Sequence, residues 1–538
     1  MKKTLLIATS AALLAMAAAG SAGHAQTRNA MATFTNPMLW ADVPDPDVTR
    51  KGDTFYLMST TMHLMPGGPV MASKDLVHWE MTNYVFPSLH ETPKYDMEEG
   101  TVYGRGQWAT SIQYHDGMFW VYFSPNDEPW RSFIYKTTDP ALGWELHSRM
   151  RHFHDGDLLF DDDGRVYIFY GNGSVCELEP DLSGVKEGGI DQKLFERDAE
   201  ETGLLEGSRI VKHNGYYYLI MISSPRGVPR RQLCYRADNI AGPWEKKIIL
   251  EDNFAGFPYA AQGGIVDDEA GNWYGIIFQD RGAVGRVPLM IPVRWVDDWP
   301  LLSDENGKIP LTGEVLFAPH DTGHRIVESD DFGSPEMNIV WQWNHNPIDE
   351  AWSLTERPGF LRLKTNRLSE TIFTARNTLT QRMEGPRCTG VVALDLSNMQ
   401  EGDVTGLSAF NGDSGVLSVR RTDGKYVLTM TAEHVSLDNR TKAVTDVEIE
   451  KQGEVELTSS TIWLRIDGDF RLRQDMATFY YGPDGQNWTA IGEPFKMRFD
   501  YRRMFMGSKF AIFNYATREP GGWVDVDRFE FSRNLMER

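Results

Sequence analysis

The 538-residue sequence contains little cysteine and no metal-binding pattern. Cys176, Cys234 and Cys388 are too few for a disulfide framework, and their odd number leaves at least one free thiol. No group of cysteines and histidines has the spacing of zinc ligands, so a structural zinc is not expected. Positive charge is also scarce, because 54 Lys and Arg stand against 76 Asp and Glu. The net charge of −22 argues against nucleic acid as a partner, since phosphates need a basic surface.

Long apolar runs are missing apart from one near the N-terminus. Met1-Lys2-Lys3 is followed by an apolar stretch from Leu5 to Ala19 and by the small-residue segment Gly23-His24-Ala25. This order is typical of a secretory signal peptide, here residues 1–25. The run is shorter than the roughly 20 residues of a spanning helix, which disfavours the alternative of a membrane anchor. We therefore expect a secreted or periplasmic protein with no membrane span, of undetermined oligomeric state.

What the sequence does contain is a repeat of turn and strand signals. Five times, a turn glycine precedes an aromatic, β-rich run that predicts a hairpin, with the glycine supplying the positive φ of the turn. The five glycines are Gly52, Gly117, Gly164, Gly215 and Gly271. Downstream of three hairpins, a second repeat runs from an Asp to a Trp-Glu pair, ending at Glu80, Glu145 and Glu245. Such recurring outer elements predict four-stranded blades, and therefore an all-β, five-bladed propeller rather than a β-sandwich.

The same spacing predicts a cluster of acids on the propeller axis. Nine residues before four of the turn glycines stand Trp108, Asp155, Glu206 and Gln262, and the nearest carboxylate in the shorter first repeat is Asp45. Because equivalent positions of the blades converge around the axis, Asp45, Asp155 and Glu206 should meet at one end of the channel. Clustered like charges cost free energy, so such a group is more often functional than structural.

Three carboxylates in a sugar-sized funnel suit glycoside hydrolysis. One protonated acid donates to the leaving oxygen, while an ionised carboxylate activates water at the opposite side of the sugar. In inverting enzymes the two stand roughly 6.5 to 9.5 Å apart. A third carboxylate can orient the acid and tune its protonation.

The motifs around these acids resemble those of glycoside hydrolase family 43, of the arabinofuranosidase and β-xylosidase type. The resemblance covers about residues 36–300. It implies that Asp45, in Pro44-Asp45-Pro46-Asp47-Val48, is the general base. It also implies that Asp155, in His154-Asp155-Gly156, tunes the pKa of the acid and orients it, and that Glu206, in Leu205-Glu206-Gly207-Ser208, is the general acid.

Further family-like segments imply residues that bind the sugar. These candidate substrate-binding residues are Trp108, Ala109, Thr110, Gln279 and Arg286. Glu201 remains an alternative for the general acid, and for His154 a packing role and a substrate contact remain open. Asp47 and Asp42 are interpreted as structural, and Asp161-Asp162-Asp163 as a solvated turn rather than a metal site.

One departure from the family pattern concerns the axis. The resemblance implies a histidine just before Gln262-Gly263-Gly264, where this chain has Ala261. Because alanine cannot ligate a metal, axial calcium is in doubt, and only an ion bound by carbonyls and water remains as an alternative. No cofactor is therefore expected to be required.

The C-terminal part has a different pattern. After a closing segment at 307–316, strand-like runs alternate with Asp-Gly and Asn-Gly turns, for instance Gly415–Val419 and Lys425–Thr429. The segments at 353–363 and 521–527 are similar to the concanavalin-like sandwich of family 43 β-xylosidases. We therefore predict a propeller over residues 33–325 and a concanavalin-like β-sandwich over 326–538. The sandwich either forms a wall of the sugar pocket, which the short linker favours, or binds carbohydrate independently.

The sequence thus predicts an inverting exo-glycoside hydrolase that releases arabinofuranose or xylose from hemicellulose or its oligosaccharides. Two alternatives remain: a catalytically silent sugar-binding propeller, and a five-bladed hydrolase acting on another glycan such as a fructan. Intact Asp45, Asp155 and Glu206 disfavour the first, and the absence of a Trp-Met-Asn-Asp-Pro-Asn opening disfavours the second.

Overall fold

A computed structural model describes residues 31–535 of the chain, so the predicted signal peptide lies outside the described residues. The regular secondary structure of the described part is almost entirely β-strand. Its short 3-10 helices are Pro93–Asp96, Phe254–Gly256, Gly282–Val284, Asp349–Ala351 and Ile372–Thr374. No helix within 31–535 is long and apolar enough to cross a membrane.

Five antiparallel sheets form the blades of the propeller, four of them four-stranded and the last three-stranded. Blade I contains Asp47–Lys51, Thr54–Met58, Gly67–Ser73 and Glu80–Phe86, and blade II contains Gln107–His115, Met118–Pro125, Arg131–Thr137 and Glu145–Arg151. Blade III contains Asp157–Phe160, Val166–Tyr170, Ser174–Leu178 and Asp191–Lys193, and blade IV contains Leu204–His213, Tyr216–Ser224, Arg231–Ala237 and Glu245–Leu250. Blade V contains Ala260–Asp267, Trp273–Asp280 and Arg286–Pro292. The predicted five-bladed propeller is confirmed.

The first strand of each blade lies at the axis, because the five first strands contact one another in a closed ring. All five turn glycines have positive φ, as the hairpin prediction requires. In blades II and IV the preceding residue, Asp116 or Asn214, also has positive φ, which is the geometry of a type I′ turn. The Trp-Glu repeat marks the outer strands, since Glu80, Glu145 and Glu245 each begin the fourth strand of a blade.

The ring is closed by segments from the two ends of the propeller. Thr33–Thr35 pairs with Thr312–Glu314, which lies within the predicted closing segment. A small hairpin of Arg294–Val296 and Trp299–Leu301 follows blade V. The three cysteines are buried and free.

The C-terminal part is a sandwich of two eight-stranded sheets, which confirms the predicted concanavalin-like fold. The first sheet is ordered Val444–Leu457, Lys425–Leu437, Asp413–Thr422, Asp403–Phe410, Lys509–Ala516, Leu379–Arg382, Gln342–Asn344 and Leu64–Met65. The second runs Trp352–Ser353, Leu361–Lys364, Trp523–Ser532, Arg387–Asp395, Thr461–Asp469, Met476–Gly482 and Thr489–Ala490, with Phe495–Lys496 also paired to Met476–Gly482.

The two domains share a sheet and a core. Leu64–Met65 belongs to the propeller part of the chain, yet it pairs with Gln342–Asn344 and forms the edge of a sandwich sheet. One continuous cluster of buried apolar side chains includes Val43 and Val287 of the propeller together with Met383 and Ile512 of the sandwich. Because this shared surface is apolar, its burial stabilises the pair as one unit.

Candidate active site

Asp45, Asp155 and Glu206 lie at equivalent ends of the first strands of blades I, III and IV. Asp45 and Asp155 precede their strands in the left-handed backbone region, with φ of 52° and 46°. Non-glycine residues in this region are uncommon and cluster at functional sites. Glu206 stands at a bulge in its strand, where the register shifts between Glu206 and Arg209. Bulges re-aim side chains next to active sites.

Asp45 is held by two neighbours that fix the orientation of its carboxylate. Thr60 Oγ1 donates to Asp45 Oδ2 at 2.7 Å. Arg286 Nη1 donates to both carboxylate oxygens, at 3.1 and 3.2 Å. All three side chains are buried, so this ion pair is little screened by solvent. The arrangement suits a carboxylate that accepts a proton from water.

Glu206 faces His154 and Asp155. His154 Nε2 lies 3.1 Å from Glu206 Oε2 and 3.8 Å from Asp155 Oδ2. The negative charge of Asp155, with the hydrogen bond and charge of Glu206, raises the pKa of His154 to about 9 against the effect of burial. A protonated His154 therefore donates to Glu206 at neutral pH, which gives this residue a polar role at the site.

Asp155 is more deeply enclosed than Glu206. Burial raises the pKa of Asp155 to about 7; the positive charge of His154 opposes this shift, and the charges of Glu206 and Asp45 add to it. That both acids act on Asp155 places the three carboxylates in one electrostatic unit, as the repeat spacing predicted. Perturbed acids in a cleft are candidates for proton-transfer chemistry.

Glu201 is not suited to proton donation. Arg231 Nη2 donates to Glu201 Oε1 at 2.7 Å, and Lys246 lies 3.2 Å from the same oxygen. Burial alone would raise the pKa of Glu201, but hydrogen bonds from Ser223, Lys246 and Arg231 lower it. The negative charge of Glu201 is therefore balanced by Arg231 and Lys246, and the geometry favours Glu206 over Glu201 as the general acid.

The sandwich contributes an aromatic side chain to the site. The Phe505 ring lies 4.4 Å from Arg286 Cζ, and its carbonyl accepts a hydrogen bond from Arg286 Nη2 at 3.1 Å. The Trp108 ring is 5.6 Å from Phe505 and 5.9 Å from His154, between centroids. Sequence reasoning missed Phe505, because no local pattern connects it with a strand more than 200 positions earlier.

The remaining candidate binding residues are committed to contacts within the protein. Gln279 is fully buried, and its amide nitrogen donates to the carbonyls of Phe254 and Phe257 at 3.0 and 2.6 Å. Thr110 is also fully buried, and its hydroxyl donates to the carbonyl of Trp108 at 3.0 Å. Ala109 is buried beside it. These contacts stabilise the walls of the pocket. Trp108 and Arg286 are the two candidates that contact residues of the catalytic group, namely His154 and Asp45. Sugar contact stays a prediction for all five.

A buried guanidinium occupies the axis below the carboxylates. Arg209 donates to the backbone carbonyls of Ser208, Asp45 and Thr110 at 2.8, 3.1 and 3.1 Å. Its Nε lies 3.3 Å from Asp47 Oδ1. Burial raises the pKa of Asp47 to about 7, and the charge of Arg209 counteracts that shift. Arg209 thus joins blades I, II and IV through one cation.

The axial position offers few free ligands for calcium. Carbonyl and carboxylate oxygens are the ligands that Ca²⁺ prefers, but here the carbonyls of Asp45 and Thr110 accept hydrogen bonds from Arg209, and the carboxylate of Asp47 is paired with the same guanidinium. Ala261 is buried and adds no ligand side chain. Within residues 31–535, only His154, Asp155 and Glu206 meet metal-ligand spacing, their ligand atoms lying within 4.8 Å of one another. Protonation of His154 opposes ligation there, since the neutral imidazole is the ligand.

The fold and the site together define a propeller glycoside hydrolase. Residues 34–300 match the family model of glycosyl hydrolases family 43, and residues 329–532 match that of the beta xylosidase C-terminal concanavalin A-like domain. The chain belongs to glycosyl hydrolase family 43.

Relatives resemble the chain over most of its length. A beta-xylosidase of Formosa agariphila is 27% identical, with 93% of this chain and 90% of that protein aligned. A non-reducing end alpha-L-arabinofuranosidase of Bacteroides ovatus is also 27% identical, over 70% of this chain and 74% of its own. A solved bifunctional GH43-CE protein of Bacteroides eggerthii is 39% identical, with a TM-score of 0.86, over 94% of this chain and 64% of that one.

Proposed function

We propose that the protein is an inverting, exo-acting pentosidase that releases arabinofuranose or xylose from hemicellulose-derived oligosaccharides. The observation that carries this proposal is the division of labour at the site. Asp45 is held as an ion-paired carboxylate by Arg286, while Glu206 is hydrogen-bonded to His154 on another blade. One carboxylate can activate water, and the other can protonate the leaving oxygen.

In this mechanism Asp45 takes a proton from water as the water attacks the anomeric carbon. Glu206 gives its proton to the leaving oxygen, and Asp155 and His154 position it electrostatically. Phe505 and Trp108 lie against each other beside the site, with ring centroids 5.6 Å apart, and we expect them to pack against the terminal sugar. The residues named require no cofactor for these steps.

Two measurements test this function. Purified protein is assayed side by side on nitrophenyl α-L-arabinofuranoside and nitrophenyl β-D-xyloside, and the anomer first released is followed by NMR. We expect turnover of at least one substrate, with inversion. A retained anomer would mean that Asp45 attacks as a nucleophile, with the carboxyl groups only about 5 to 5.5 Å apart.

We also propose secretion, on the strength of the signal-peptide pattern in residues 1–25. Fractionation of cells and N-terminal sequencing of the mature protein test this, with cleavage expected before Gln26.

A further inference from the structure

A cleft of about 540 Å³ opens beside Glu206, between the loops of blades III and IV. His154 and Glu206 form its inner end, and Asn172, Arg197 and Arg226 line its outer part. Asn172 lies in the turn between two strands of blade III, whereas Arg226 lies in the turn after Tyr216–Ser224 of blade IV. The volume is within the range of small-molecule binding sites.

The position of this cleft assigns it to the leaving group. A general acid donates its proton to the leaving oxygen, so the departing part of the substrate must lie against Glu206. Asp45, by contrast, is enclosed by Arg286 and, through it, by Phe505. The cleft beside Glu206 therefore gives the departing oligosaccharide its way out of the site.

The two arginines that line the cleft form no ion pair with a carboxylate among the residues that the structure describes. Among the residues that the structure describes, none forms a hydrogen bond or ion pair with the guanidinium of Arg226. Arg197 donates only to backbone, to the carbonyls of Glu201 and Gly203 at 3.4 and 2.7 Å. Neighbouring Arg231, in contrast, is paired with the carboxylate of Glu201 at 2.7 Å. In a chain with 76 acidic residues, two arginines without carboxylate partners at an active-site cleft indicate an anionic ligand.

We propose that this cleft selects a leaving group that carries a carboxylate, as a pentose oligosaccharide substituted with a uronic acid does. The inference rests on the proposed pentosidase function and names its preferred substrate class. A guanidinium binds a carboxylate through two parallel hydrogen bonds, a geometry that neutral sugar hydroxyls do not offer. Arg226 supplies a free guanidinium for this contact, and Arg197 supplies the nitrogens that it does not use on the backbone.

The test compares two oligosaccharides that share the same terminal pentose and scissile bond, one neutral and one with glucuronic acid on the sugar next to that bond. We expect the wild-type protein to show a higher kcat/KM for the acidic one, by about 10-fold at low salt, the size of effect typical of one charged hydrogen bond. The preference should shrink as salt is added, because exposed charges are screened. Arg226→Ala should remove most of the preference by lowering kcat/KM on the acidic oligosaccharide far more than on the neutral one.

Three further variants make the result specific. Arg226→Lys keeps the charge without the two-pronged geometry, so it should retain part of the preference, and Arg226→Glu should invert it. Arg518→Ala is the matched control, since Arg518 is an exposed arginine of the sandwich whose nearest acid, Glu401, lies 3.6 Å away. Equal acidic-to-neutral ratios in wild type and Arg226→Ala, with the neutral substrate turned over, overturn the inference alone. No turnover of any pentoside overturns it together with the proposed function.

Discussion

Phe505 and Arg286 contact each other twice across the boundary between sandwich and propeller, through a hydrogen bond of 3.1 Å and through a ring 4.4 Å from the guanidinium carbon. The same guanidinium binds both oxygens of Asp45. The side chain of Arg286 therefore links Phe505 of the sandwich to Asp45, the proposed general base. This geometry supports the hypothesis that the sandwich forms a wall of the pocket.

Phe505→Ala should lower kcat/KM about 10- to 30-fold, because a desolvated cation–π contact is worth up to about 2 kcal/mol and because the cavity would admit water beside Asp45. The comparison is made on a nitrophenyl pentoside, with the melting temperature as a check on folding. Tyr501→Ala is the control, since this exposed ring lies 6.4 Å from Phe505 on the same loop. Equal losses in both variants would contradict a specific role for Phe505.

Glu206→Gln should nearly abolish hydrolysis of natural glycosides but spare much of it on dinitrophenyl glycosides, whose leaving group departs without a proton. Asp45→Asn should slow both, because water must be activated whatever leaves. A lost general acid or base typically costs a factor of about 100 to 10,000. Steady-state rates on both substrates check this. The assignment of roles would have to be reversed if Asp45→Asn, and not Glu206→Gln, were rescued by the better leaving group.

Asp155→Asn should lower the pKa of His154 from about 9 toward its ordinary value of 6.5, since the charge of Asp155 is the largest cause of the increase. At pH 7.5 His154 would then lose most of its positive charge beside Glu206. NMR titration of labelled histidine measures the shift, and the pH–rate profile should change over the same range. An unchanged His154 titration would place the source of its charge elsewhere.

The domain interface should weaken in acid. The rings of His63 and His345 lie side by side there, tilted to each other, with centroids 5.2 Å apart. Burial lowers the pKa of His63 to about 3, with a smaller contribution from the charge of Lys509. Burial likewise holds the pKa of His345 well below 6.5, with His63, Arg376 and Arg367 adding to it. Both rings therefore resist protonation in the folded protein.

Below pH 6.5 the imidazoles of His63 and His345 bind protons in the unfolded chain but not in the folded chain. The free energy of unfolding should therefore fall by about 1.4 kcal/mol per pH unit for each histidine. Urea denaturation at pH 7.5 and at pH 5 measures this slope. His345→Gln can still accept the hydrogen bond from the Val102 amide that His345 Nε2 accepts at 3.0 Å. The variant should be less stable at pH 7.5 but lose less stability on acidification; an unchanged slope would assign the acid sensitivity to other groups.

Chelators should leave activity intact, because Arg209 already supplies the positive charge on the axis. Incubation with EDTA followed by assay checks this, and recovery of lost turnover by calcium alone would show a different ligand set.

Arg209→Met should unfold at a lower temperature, because breaking a buried pair leaves Asp47 uncompensated and costs about 3 to 5 kcal/mol. Arg165→Met, which alters an exposed arginine of a blade III turn, serves as the stability control.

The sequence predicted the blades because each hairpin is local. A glycine with positive φ and the strands beside it lie within one repeat, so Gly117 and Gly215 identify their turns without reference to any distant residue. The positions of the acids could be predicted for the same reason. Asp155 and Glu206 stand at the same sequence distance before their turn glycines, and the ring of first strands brings equivalent positions of the blades together.

The residues that sequence reasoning missed depend on contacts between distant segments. Phe505 reaches Arg286 only because the sandwich packs on the propeller, and nothing in the flanking residues signals that contact. The role of His154 depends on the 3.1 Å distance to a side chain from the next blade. Gln279 likewise makes contacts that its flanking residues do not signal, because its amide donates to two backbone carbonyls within the protein, while its contact with sugar stays a prediction.

The strand Leu64–Met65 limits recombination between the two halves of the gene that encodes this protein. This strand is encoded in the propeller but forms the edge of a sandwich sheet beside Gln342–Asn344. Recombination that exchanged the C-terminal half for that of a relative would have to match this edge as well as the apolar surface, or leave backbone groups unpaired. Inheritance of the two halves as one unit is the outcome that this strand exchange favours.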